Sequence, residues 1–169
     1  MALSKIPSAG FSGTEGVTLA DQWRLTSNIT SNTDPIQSNL ERVDDASSTK
    51  IGDGMSVSSG IWSFPKTGIY LILATAKGFS SSSNDTFKLL SYVTIDGGSN
   101  YDLTTETTLG SESSGGAGQS ATTPIIIDVT DTSQVKIKFT TSSMNSGTEF
   151  EGDSTHNKTS FTFLRLGDT

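Results

Sequence analysis

The chain has 169 residues, of which 32% are hydrophobic and 17% charged, with a net charge of −7, one histidine and no cysteine. That length fits a single domain; the missing cysteines exclude a disulfide scaffold and zinc–thiolate chemistry, and the acidic balance, with no run of three among its 11 basic residues, excludes a nucleic-acid surface. No stretch approaches the roughly 20 apolar residues of a membrane span and the opening residues hold no apolar core of a signal peptide, so a protein made in the cytoplasm without membrane insertion is expected.

Serine (28) and threonine (25) make up 53 residues. The apolar residues nonetheless gather in short runs of Val, Ile, Phe and Tyr between Gly/Ser/Asn/Asp clusters, the pattern of many strands with exposed loops. Residues 1–18 carry Pro7, Gly10, Gly13 and Gly16 with isolated Leu3, Ile6, Phe11 and Val17. This segment has neither helical nor strand periodicity and is predicted to be an extended arm, its four apolar residues acting as anchors. Residues 19–169 form the predicted domain. Strands are expected at 22–29, 39–43 and 60–64, the last running into a turn at 65–68. The run 69–76 is apolar at almost every position and predicts a strand buried on both faces. A strand at 87–95 ends in Asp96-Gly97, a hairpin signal. Strands at 101–108, 125–129, 135–140 and 160–166 follow, with a Gly/Ser-rich loop at 110–120. No helix of three turns and no internal repeat is seen. So many short strands predict an all-β sandwich, barrel or jelly roll.

Catalytic chemistry finds little support. His156, the single histidine, lies in a polar loop; no Gly-x-Ser-x-Gly or His-Glu-x-x-His accompanies it, and no catalytic residue is assigned. Acidic clusters at Asp44-Asp45, Asp53 and Glu149 to Asp153 lack the spacing of a calcium loop and read as solvated; no metal or cofactor is expected. The sequons at Asn28, Asn84 and Asn157 are of the number that chance supplies in so Ser/Thr-rich a chain. Trp23, Trp62 and Phe64 are residues that could stack on a sugar, but aromatics in such strands more often build the core.

Gly60, Trp62, Pro65, Gly68 and Tyr70 fall in one ungapped stretch that resembles the signature of C1q-like domains. Tyr92 to Gly97, Val135 to Phe139 and Thr159 to Leu166 resemble later strands of the same family, so that the resemblance covers about residues 50–167. Phe163 and Arg165 depart from it, standing where the family usually has Gly and an aliphatic residue. The resemblance implies an antiparallel C1q/TNF-like jelly-roll sandwich assembled as a homotrimer, its threefold axis lined by Tyr70, Leu90, Tyr92 and Phe161. The opening Met1 to Pro7 and the Ser/Thr/Gly-rich composition resemble bacteriophage structural proteins. That second resemblance implies a non-enzymatic virion protein, foremost a capsid decoration protein anchored by its arm to a capsid or tail protein. A tail-fibre or receptor-binding tip, or a free carbohydrate-binding or adhesion module, is the alternative, with a host-surface glycan as a further partner.

Overall fold

A computed structural model describes residues 17–81, 85–111 and 116–169; the arm residues Leu3, Ile6 and Phe11 lie outside this range. Eleven strands form two antiparallel sheets: β1 Leu19–Leu25, β2 Leu40–Arg42, β3 Ser56–Ser58, β4 Ile61–Ser63, β5 Gly68–Ser80, β6 Asp85–Thr94, β7 Asp102–Ser111, β8 Ala117–Val129, β9 Lys136–Ser142, β10 Thr148–Phe150 and β11 Ser160–Gly167. In the six-stranded sheet β5 pairs with β8 along one side and with β11 and then β10 along the other, and β1 and β2 continue beyond β11. The five-stranded sheet runs β3-β4-β9-β6-β7. The all-β jelly roll expected from the sequence is therefore found.

The layers are joined by aromatic rings. Trp62 and Phe139 project from the five-stranded sheet, and Trp23, Phe161 and Phe163 from the six-stranded one. Trp62 meets Trp23 edge-on at 5.0 Å and Phe163 at 5.1 Å, while Phe139 stacks on Phe161 at 4.1 Å, separations at which ring pairs attract beyond simple burial. The motif from Gly60 to Tyr70 spans β4, a turn and the start of β5. Gly60 has φ +78°, and a Cβ there would meet the Ile36 carbonyl at 2.6 Å; only glycine suits that position. Tyr70 closes the turn by donating its hydroxyl to the Lys66 carbonyl at 2.9 Å.

Three sequence expectations need correction. The first strand lies at Leu19–Leu25 rather than 22–29, because it is set by pairing with β11 from Leu19↔Arg165 to Arg24↔Ser160. The segment 117–120, read as loop, opens β8, which pairs with β5 over the full span from Gly68↔Val129 to Ser80↔Ala117; ladder pairing there overrides a composition with no strand signal. The run 69–76 is not buried on both faces. Tyr70, Ile72, Ala74 and Ala76 point into the core, whereas Ile69, Leu71, Leu73 and Thr75 stand on the outer face, only half-buried.

Candidate functional site: the outer face of the six-stranded sheet

Residues directly opposite each other in adjacent strands lie on the same face. Ile126 of β8 faces Leu71 of β5, Leu71 faces Leu164 of β11, Leu164 faces Ala20 of β1, and Ala20 is bridged to Ile51. The result is one apolar row across the whole width of the sheet, about 19 Å long at the usual strand spacing. Leu73 and Pro124 widen it on one side and Ile69 on the other. Ile126 is 70% exposed, Leu166 56% and Ile51 47%. Further along β5 the same face turns polar, through the Thr75–Thr122 hydroxyl pair at 2.9 Å and the Lys77–Ser120 pair.

The residues assigned to a threefold axis do not share this face, and they divide between two others. Tyr70 and Phe161 are fully buried inside the sandwich. Leu90 and Tyr92 are paired with Thr140 and Lys138 on the outer side of the other sheet, where the Lys138 ammonium lies between the Tyr92 and Tyr101 rings and 2.7 Å from Asp34. On β5 and β11 the outward positions are the alternate ones, since with a period of two a shift of one residue moves every side chain to the opposite face. The apolar residues of these strands that do face outward are Leu71, Leu164 and Ile126, none of which the sequence reading singled out. Their signal was the apolar run 69–73, whose alternate members had to face outward once the sheet was covered on one side only. Of the four apolar arm residues only Val17 is described, 52% exposed beside the start of β1.

The polar candidates are held by residues of the chain itself. His156 lies near the Asp153 carboxylate and the Thr155 hydroxyl, both against the same ring nitrogen, Nδ1; a nucleophile–base–acid relay needs both ring nitrogens. Thr155 donates its hydroxyl and backbone N–H to Asp153, which brings that carboxyl down to about 2. Glu151 is lowered chiefly by its bond to Lys158 at 2.9 Å. Asp44 and Asp45, with Glu41, surround the buried Arg24 guanidinium at 3.0–3.2 Å, and Asp53 faces Lys66. Trp62 and Phe64 are core residues, and Trp23 packs against that core. Asn28 accepts from the Gly152 N–H and Asn157 donates to Gln22; Asn84 is not among the described residues.

No protein-family model matches the chain, and no curated protein matches it. Solved structures do. Eiger TNF from S. frugiperda is similar at a TM-score of 0.64 and 12% identity, covering 90% of this chain and 95% of that one. Murine APRIL in a crystal at pH 5.0 gives 0.63 and 15% identity, covering 88% and 98%; at pH 8.5 it gives 0.60 and 14% over the same shares. The fold is a TNF-like jelly roll. At such identities the likeness extends to the fold and not to a ligand. In this TNF-like jelly roll the apolar row belongs to the sheet that contains both the first and the last strand, so the described chain ends emerge at one pole. Leu19 is paired with Arg165 there, and Gly68 with Val129. The opposite pole carries Ser80, Ala117 and Thr148 at the far ends of β5, β8 and β10.

Proposed function

We propose that the chain is a non-enzymatic C1q/TNF-like structural module that assembles as a homotrimer through the outer face of its six-stranded sheet. The observation that carries this reading is the apolar row Ile126–Leu71–Leu164–Ala20–Ile51. A continuous apolar band across a sheet is unusual on a protein that stays monomeric, and burying it against copies of itself is the symmetric way to remove it from water. The threefold order follows from the resemblance of the Gly60 to Tyr70 motif.

Light scattering should give a mass of three 17.8 kDa chains. The double variant Leu71→Asp, Ile126→Asp should run as a monomer, because each carboxylate would have to be buried unpaired at a cost of several kcal/mol. A monomeric wild type, or a variant that keeps the native mass, refutes the interface.

The finer setting we propose is the surface of a virion, as a capsid decoration protein held by residues 1–18. The resemblance of the opening residues and composition to bacteriophage structural proteins supports it, and so does the position of both described chain ends at one pole, with the other pole at the far side of the sandwich. Deleting residues 1–16 should leave a trimer of unchanged thermal stability that no longer co-sediments with particles; continued co-sedimentation excludes the arm as the anchor.

A further inference from the structure

At the pole opposite the chain ends, a cavity of about 240 Å³ opens where β5, β10 and the segment after β1 converge. Phe79, Glu149, Thr30, Ser81, Ser146 and Thr148 line it. Backbone bonds fix the three segments together: Ile29 and Phe150 exchange both N–H···O bonds at 2.9 Å, and the Ser81 N–H donates to the Gly147 carbonyl at 2.7 Å. Phe79 is partly exposed on the outer face of the sheet. Its neighbour across β8 is Gly118, and Gly116 has φ +77° with its would-be Cβ 2.8 Å from the Phe79 ring. On this side Gly118 adds no side chain beside the ring, and only the backbone of Gly116 packs against it. On the other side Glu149 pairs with Phe79 and projects from the same face. Among the described residues the Glu149 carboxylate accepts no hydrogen bond, and the Thr30, Ser81 and Ser146 hydroxyls have no partner; the Thr148 hydroxyl is engaged by Asn145.

We infer that this cavity is a binding site for one neutral hexose unit of a glycan, with Phe79 as the stacking ring and Glu149 as the acceptor for two adjacent sugar hydroxyls. A pyranose has an apolar C–H face and a rim of hydroxyls. The ring meets the first, and a carboxylate with two oxygens meets a neighbouring pair of the second through charge-assisted bonds. The surrounding serine and threonine hydroxyls can donate or accept as the sugar requires. An acidic sugar would set its own carboxylate against Glu149, so neutral sugars are selected. The site lies eight residues along β5 from Leu71, about 27 Å at a strand's rise, beyond the polar Thr75–Thr122 band. It therefore does not depend on the apolar row or on what that row binds.

The test is saturation-transfer difference NMR on the full chain with the methyl glycosides of glucose, galactose, mannose and N-acetylglucosamine, each at about 20 mM, which fills a site of millimolar Kd. At least one glycoside should show saturation of its ring protons. Phe79→Leu, which keeps apolar bulk but removes the ring, and Glu149→Gln should each weaken it by about tenfold or more, near 1.4 kcal/mol, with unchanged mass and melting temperature. Glu149→Gln keeps the side-chain volume and breaks no hydrogen bond among the described residues, so it remains informative if Phe79→Leu disturbs folding. Tetramethylammonium is the control, since a ring beside a carboxylate can also hold a cation. No saturation from any of the four sugars, saturation from the cation alone, or sugar binding that survives both variants would overturn the assignment.

Discussion

Asp21 shows how much one side chain can organise in a chain with so few apolar residues. Its carboxylate is fully buried and accepts from the Trp23 indole N–H, the Arg42 guanidinium and the Met55 backbone N–H, at 2.7–3.2 Å. It thereby ties β1 to β2 and to the loop entering β3. Burying a charge is costly unless each lone pair is matched, and here the partners come from three separate segments. Asp21→Ala leaves the Arg42 charge and the Met55 N–H without their acceptor. Urea unfolding at pH 7 should register a loss of about 3 kcal/mol, within the range for breaking a buried pair. Asp21→Asn keeps an acceptor oxygen and the volume and should lose less. Equal stability of wild type and the alanine variant would mean that water replaces the carboxylate. Nothing in the local sequence marked Asp21, since its partners lie 2, 21 and 34 residues away.

At the level of elements, strands with strong apolar alternation were legible and those defined by their partners were not. The β6 end at Asp96-Gly97 was readable because the chemistry is local: Asp96 accepts from the Thr94 hydroxyl and the Asn100 N–H, and Gly97 takes φ +77°. The three-residue strands β3 and β10, and the first part of β8, have no such signal and exist because a neighbour offers a ladder. The candidate site was harder still. Its strands β5 and β11 were found, yet the parity that separates core from surface follows from which sheet covers which, and that is tertiary information. The 151–159 connection between β10 and β11 makes a testable element. Asp153 is held at about 2 instead of its ordinary 3.8, and Glu151 is also lowered. A carboxyl whose folded value is depressed stabilises the fold fully above its unfolded value, and that contribution disappears as pH falls through the folded one. The loop should thus hold from neutral pH to about pH 5 and loosen between about pH 4 and 2. Hydrogen exchange at the Thr155 amide should accelerate over that window beyond the intrinsic pH trend, and Asp153→Asn should abolish the excess. An excess that persists in Asp153→Asn would show that another group controls the loop.

For the whole molecule the decisive point is that the two hydrophobic surfaces are separate. The core closes within one chain, through Trp62, Phe139, Phe161 and Phe163, while the row around Leu71 remains on the outside. In the proposed trimer a subunit should therefore fold without its neighbours and gain stability by joining them, unlike an obligate oligomer whose core is completed by its partner. Separating one trimer into three chains adds two powers of concentration, so tenfold dilution weakens the assembly by about 2.7 kcal/mol per trimer. The wild-type melting temperature should accordingly rise with protein concentration. In Leu71→Asp, Ile126→Asp the melt should be independent of concentration and lower, yet cooperative, and the near-UV circular dichroism of the Trp62 cluster should match the wild type. Loss of that aromatic signal together with assembly would show that the rings pack only in the oligomer. The sandwich would then be a product of association, and the row around Leu71 part of its folding core.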